Sequence, residues 1–209
     1  MNFDGLIREL GPVGCSALRE AILAQDESAW REDEYRQKEY DVHRQTESIV
    51  LVFADLDDWP ELAVRKMPGW DHLAAVAVPV IHDIIEAHYP PGGTVIRAMA
   101  AKLLAGGKIS PHVDSHPSFH RGHRIHVPIT TNSRVRFMID GRPHRLKVGE
   151  AYEINNQKTH SVMNKGREDR ITFIFDYLPP GELGRAAGPK PRSRRERSAD
   201  RPALSGGRL

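Results

Sequence analysis

From residue 94 to residue 178 the chain is a succession of short apolar segments cut by Gly, Asn and Asp. They read "TVIRAMAAKLL", "RIHVPITT", "RVRFMID", "HRLKV", "AYEIN", "HSVMN" and "RITFIFDYL". Their Val, Ile, Phe and Thr content and alternating polarity suit half-buried strands, and most are too short to bury a helical face. "DGR" at 140–142, between two alternating runs, is a hairpin signal. Seven or eight strands so spaced predict an antiparallel sandwich or small barrel of the jelly-roll kind.

The residues before this stretch have a different texture. "SALREAILAQ" (16–25) carries apolar positions at helical spacing, and "DESAWREDEYRQKEY" is charged and expected to be partly exposed. "SIVLVFAD" (48–55) reads as a strand ending in the acidic turn "DLDDWPE", whose glycine and distal glutamate do not fit a calcium loop. "WDHLAAVAVPVIHDIIEAHY" (70–89) is the best helix, expected to bend at Pro79 and stopped by "YPPGG". The opening third is therefore expected to be helical and irregular, its helices covering the outside of one sheet. Three regions result: 1–93, helical with peripheral strand; 94–180, the β core; and 181–209.

That last region carries eight basic against three acidic residues, leaving 22 basic and 25 acidic in the first 180. Rich in Gly, Pro, Ser and Arg, it has little to bury and is expected to be a disordered, solvated tail. An arm for nucleic acid or another acidic partner is the alternative reading. No apolar run approaches the roughly 20 residues that span a bilayer. "MNFDGLIREL" lacks a signal-peptide pattern, and the one cysteine, Cys15, cannot form an internal disulfide. A cytoplasmic protein with a structural Cys15 is expected.

Five of the eleven histidines crowd into "GKISPHVDSHPSFHRGHRIHVP" (107–128). His112, His116 and His120 would share one helical face, but Pro111, Pro117 and Gly122 argue against a helix. Extended chain offers a different grouping. His112 and Asp114, two residues apart, project to one side. His160, 46 residues after Asp114, opens another strand-like run. Two imidazoles and one carboxylate on one face of a metal leave the opposite face open, the ligand preference of non-haem Fe(II) oxygenases. "LAGGKIS" (104–110) lacks the first glycine and the final Ser or Thr of a phosphate loop.

Downstream, Arg170, Thr172 and Asp176 alternate onto one face of "RITFIFD". A guanidinium buried in such a strand needs an anion, either a dicarboxylate cofactor's far end or an internal partner such as Asp176. Arg124 and His126 likewise share a face. They are read as contacts to the same cofactor, as donors orienting it, or as an edge-strand pair facing water. His116, His120 and His123 fall in an expected loop bordering the mouth, where they could touch substrate or simply be surface residues. Asn156 and Asn164 flank His160 and are read as fixing its loop, Asn156 also as a substrate contact.

Taken together, "PHVDSH", "RIHVPITTN", "NNQKTHSVMN" and "RITFIFDYL" resemble the aspartyl/asparaginyl β-hydroxylase family of Fe(II)- and 2-oxoglutarate-dependent dioxygenases, over residues 94–180. "VHRQTESIVLVF" (42–53) is similar to a peripheral segment of its small stand-alone members. The resemblance implies a double-stranded β-helix, a cupin-like barrel, in which His112, Asp114 and His160 bind iron. It implies that Arg170 holds the distal carboxylate of 2-oxoglutarate, with Arg124 and His126 lining that site. Hydroxylation of an unactivated carbon by dioxygen, releasing succinate and CO2, is the implied reaction. Some members lack the carboxylate ligand; Asp114 puts this chain with the branch that keeps the full triad. Small members act on free amino acids and other small molecules as well as peptides. Substrate identity and oligomeric state are therefore open. Two rival readings remain at this stage. One is a cupin-like metalloprotein that binds or isomerises a small ligand and has no need of Arg170. The other is a non-catalytic binding protein using the basic tail.

Overall fold

The computed structural model describes residues 3–32, 44–55, 59 and 61–182. The charged run after Glu32, most of the "DLDDWPE" turn and the basic tail from 183 onward lie outside the described residues. Among the described residues, eleven strands form two sheets. β1 is Ile7–Pro12, β2 Thr46–Asp55, β3 Ala63–Lys66, β4 Thr94–Leu103, β5 Lys108–His112 and β6 His123–Pro128. β7 is Val135–Ile139, β8 Arg142–His144, β9 Glu150–Ile154, β10 His160–Asn164 and β11 Arg170–Leu178. The larger sheet has the order β1-β9-β6-β11-β4-β2-β3 and the smaller β5-β10-β7-β8.

The eight strands after residue 94 thus divide equally between two facing antiparallel sheets, the jelly-roll arrangement that the turn spacing predicts. The sheets remain separate rather than closing into a continuous barrel. Between them pack Leu103, Phe137, Ile139, Leu146, Tyr152, Ile154 and Val162. Alternation sends the other side chains of the larger sheet, including Ile125, Val127, Phe173 and Phe175, against the helices. β7 and β8 are joined at Asp140 (φ 49°) and Gly141 (φ 74°), two left-handed residues in succession that give the tight hairpin its hand.

Helix α1 (Ser16–Leu23) starts at Cys15, which is buried in the core, and α2 (Glu27–Arg31) is capped by the Asp26 carboxylate accepting from Ser28 and Ala29 N–H. Helix α3 (Gly69–His88) runs uninterrupted through Pro79 and buries Leu73, Ala77, Val80, Ile81 and Ile84. With Leu18 and Ile22 of α1 these cover the outer face of the larger sheet. The helical cover is as the apolar spacing predicts.

The structure departs from the sequence reading at several points. The N-terminus supplies an edge strand, β1, because pairing with β9 outweighs its weak local signal. "HRLKV" is a strand only as far as His144 and then turns away. His123 is not in a loop; it opens β6 and points to the helical side. There its Nδ1 lies 2.5 Å from the Glu153 carboxylate, which also accepts from Tyr89 Oη at 3.0 Å and pairs with Arg8 at 2.8 Å. Glu153 is fully buried, so this cluster satisfies a charge that would otherwise be costly and ties β1, β6, β9 and the end of α3 together.

The approach of α3 to β2 is very close. A Cβ on Gly69 would lie 2.6 Å from both the Val50 carbonyl oxygen and Ile49 Cγ2. Gly69→Ala should therefore destabilise the protein by about 1–3 kcal/mol. Thermal melting checks this, and an unchanged Tm would show that the helix can lift without penalty.

Candidate metal centre and its charged support

Strand pairing builds the centre from residues distant in sequence. His112 ends β5 and His160 opens β10, and the antiparallel register sets them opposite each other. Their ring centroids are 4.3 Å apart. Asp114, two residues past β5, donates its N–H to the Asn156 carbonyl at 3.1 Å, and its own carbonyl accepts from Gln157 Nε2 at 3.0 Å. The loop after β9 thereby fixes the loop after β5. One potential ligand atom from each of His112, Asp114 and His160 falls within 4.8 Å of the others, so the three could hold a metal ion. His112 and Asp114 remain partly exposed, leaving the centre open on one side.

Each imidazole is held in a defined state. His112 Nδ1 lies 2.8 Å from the Ser110 carbonyl and His160 Nδ1 3.0 Å from the Lys158 carbonyl. A carbonyl only accepts, so both rings carry the proton on Nδ1 and keep the Nε2 lone pair for a metal. Burial is the main influence on His160 and lowers its pKa, favouring the neutral ring that a metal requires.

The carboxylate is more elaborately supported. Asp114 Oδ2 accepts from Arg124 Nη1 at 2.6 Å and from Asn156 Nδ2 at 2.9 Å. Oδ1 faces the metal side, 3.8 Å from His112 Nε2. Burial would raise the Asp114 pKa, but Arg124, His160 and the Asn156 hydrogen bond outweigh it and hold the group below the usual carboxylate range. Arg124 in turn donates from Nε and Nη2 to the two oxygens of Asp176, at 2.8 and 2.9 Å. Arg97 Nη1 reaches Asp176 Oδ2 from the other side at 3.0 Å. Asp176 stands in register with both arginines, Arg97 on β4 and Arg124 on β6. Phe119, on the short helix α4 (Ser118–Arg121), lies over both guanidiniums at 4.4 and 4.6 Å.

Arg170 sits on the same face of β11 but makes no such pair; the Arg170–Asp176 salt bridge considered from sequence is not formed, because six residues of extended strand hold the two about 20 Å apart, and Asp176 pairs instead with Arg97 and Arg124. Arg170 is 5% exposed, and its Nη2 has no hydrogen-bond partner among the described residues. Burial alone pushes its pKa down to about 10. Its guanidinium lies 5.7 Å from the Phe137 ring, and His126 approaches the same ring at 5.9 Å. Both ring nitrogens of buried His126 lack partners among the described residues, as does Thr172 Oγ1. Burial, then Arg170, Arg124 and His160, lower the His126 pKa well below its ordinary value, so the ring is neutral. A small cavity bordered by Thr131, Asn132, Phe137, His144 and Leu146 opens beside Arg170.

The remaining sequence candidates are also placed. His116 receives the Ser118 N–H at Nδ1 and meets the edge of Trp59; His120 lies exposed on α4. Asn156 is fully buried against Asp114. Asn164 organises the loop before β11 by donating to the Leu103, Leu104 and Glu168 carbonyls. Sequence reasoning did not select Arg97, Ser118 or Phe119. Arg97 had a usable signal, since it is a lone cation in "TVIRAMAA", the feature that drew attention to Arg170.

No curated protein matches the chain at significance. Among solved structures, a prolyl hydroxylase from Trichoplax adhaerens in complex with a hypoxia-inducible-factor peptide fragment aligns with TM-score 0.56 and 10% identity. The alignment covers 87% of each chain. A non-haem monooxygenase, the ThoJ–nickel complex, gives 0.54 at 16% identity, covering 85% of this chain and 75% of that one. A 2OG-Fe(II) oxygenase-family oxidoreductase from Burkholderia pseudomallei gives 0.50 at 13%, covering 84% and 95%. At such identities these neighbours speak for the fold. None of the described helices is long and apolar enough to cross a membrane. The model of the aspartyl/asparaginyl β-hydroxylase family matches residues 17–180, most of the chain and both sides of the metal centre; the protein belongs to that family of oxygenases.

Proposed function

We propose that this protein is an Fe(II)- and 2-oxoglutarate-dependent dioxygenase that hydroxylates an unactivated carbon of an amino-acid-like or peptidyl substrate in the cytoplasm. The observation that carries this reading is a row of buried polar atoms without partners among the described residues: both His126 ring nitrogens, Thr172 Oγ1 and Arg170 Nη2. By strand alternation they share the interior face that also bears Arg124 and Asp176. A buried guanidinium without an anion costs several kcal/mol, and a dicarboxylate's far end would remove that cost through a bidentate contact. A cupin-like protein that isomerises a small ligand has no use for such a cation.

The donor set suits ferrous iron: two Nε2 lone pairs and one carboxylate oxygen on one side, with the other side open. When bound, iron and 2-oxoglutarate supply dioxygen activation coupled to decarboxylation, with succinate and CO2 as products. The chain's own work is positional. His112 and His160 present fixed lone pairs because Ser110 and Lys158 hold their protons. Arg170 would hold a carboxylate of the co-substrate, and neutral His126 would offer it a ring N–H or lone pair. The partly exposed side of His112 and Asp114 is where a substrate would reach the centre.

Anaerobic protein loaded with Fe(II) should develop a weak visible charge-transfer band when 2-oxoglutarate is added, and a succinate-release screen over amino acids, peptides and acidic metabolites should reveal the substrate class. Bound iron with no band would overturn the reading. His112→Ala and Asp114→Ala should each abolish succinate release, while His116→Ala should largely retain it. Arg170→Met should eliminate 2-oxoglutarate binding. It should leave the unliganded protein as stable as before, or about 1 kcal/mol more stable, because an uncompensated buried charge has been removed. Thermal melts with and without 2-oxoglutarate read both effects.

A further inference from the structure

Asp176 touches neither His112 nor His160, yet its surroundings connect it to the metal centre. Three neighbouring strands, β4, β11 and β6, place Arg97, Asp176 and Arg124 side by side in register. Asp176 is 2% exposed and both of its oxygens are occupied: Oδ1 by Arg124 Nε, and Oδ2 by Arg124 Nη2 and Arg97 Nη1. The fork of Arg124 is thus fixed in plane by two parallel hydrogen bonds, which leaves Nη1 pointing one way only. That direction is toward Asp114 Oδ2, at 2.6 Å. Asn156 Nδ2 donates to the same oxygen at 2.9 Å. With Oδ2 taken by two donors, Oδ1 is the oxygen left to face His112 Nε2.

We propose that Asp176 is a positioning residue, which acts through Arg124 to make Asp114 a single-oxygen ligand and so keeps the far side of the metal open. This rests on the triad being the metal site. A carboxylate free to turn could close onto a metal with both oxygens, and each extra oxygen would occupy a position that substrate-side chemistry needs. The chain of contacts removes that freedom. Oδ2 would have to give up a charge-assisted bond of 2.6 Å and the Asn156 bond before it could swing toward the metal. Arg97 has a distinct part. Its bond to Asp176 Oδ2 and its contacts with Ser118 Oγ at 3.3–3.4 Å keep the carboxylate from rotating with Arg124 as one loose pair. Phe119 covers both guanidiniums and limits competition from water.

The test uses metal binding rather than turnover. Anaerobic titration of the full-length protein with Fe(II) or Co(II) gives the affinity, and the Co(II) d–d spectrum reports coordination number. Wild-type protein should bind one equivalent, and His112→Ala should remove it; binding that survives His112→Ala would instead overturn the triad as the metal site. Asp176→Asn should fold, as judged by circular dichroism, and bind metal about 10–100-fold more weakly. Its Co(II) spectrum should shift toward higher coordination number. Arg124→Lys keeps the charge but loses the fork, and should show the same spectral change even if Asp176→Asn does not fold. A folded Asp176→Asn or Arg124→Lys protein with wild-type affinity and an unchanged Co(II) spectrum would overturn the proposal. Lower melting temperature with no change in metal binding would likewise show a purely structural role.

Discussion

The interior face of this protein is organised by four charges of alternating sign, Asp114, Arg124, Asp176 and Arg97, connected by contacts of 2.6–3.0 Å. Each alone would be expensive to bury; in series, every member has an opposite neighbour. The arrangement also fixes register. Shifting β6 or β4 by one residue against β11 would turn an arginine to the helical side and strand Asp176 without a counter-charge. The central strands of the larger sheet are therefore set by electrostatics on one face and by apolar packing against α1 and α3 on the other. The metal centre inherits its geometry from that agreement.

Arg170 lies on the same strand face as Asp176 and is treated oppositely. Nothing among the described residues neutralises it. A fold that pairs Asp176 with two guanidiniums and leaves Arg170 Nη2 unpartnered among the described residues is uneven. Buried polar groups are paired at Asp176 and, among the described residues, left unpaired around Arg170, the kind of local inconsistency that functional sites show. Buried Glu153, on the other side of the same sheet, marks the contrast, since Arg8, His123 and Tyr89 all converge on it.

Much of this was legible in the sequence because its signals are local. Period-two alternation located the strands after residue 94, "DGR" located a hairpin, and apolar spacing located α1 and α3. The pair His112 and Asp114 needed only the alternation of extended chain. Other elements were not legible. β1 has little intrinsic strand signal and exists because β9 offers it an edge. His123 and His126 look alike in "HRIHVP", yet they face opposite sides, and only the sheet's two environments tell them apart. Arg97 carried the same lone-cation signal as Arg170, but without strand register its counter-charge could not be known.

By itself the sequence determined the strand-rich class, the covering helices and the residue types able to hold a metal, since these follow from periodicity and side-chain chemistry within a few residues. Tertiary structure alone decided which charges pair. Asp176 shares a strand face with Arg170, but antiparallel register sets it beside Arg97 and Arg124 on the neighbouring strands. Residues six apart along an extended strand are separated by about 20 Å, whereas neighbours across a ladder are roughly 5 Å apart. That difference in distance links Asp176 through Arg124 to Asp114 of the candidate metal centre and leaves Arg170 without a counter-charge among the described residues.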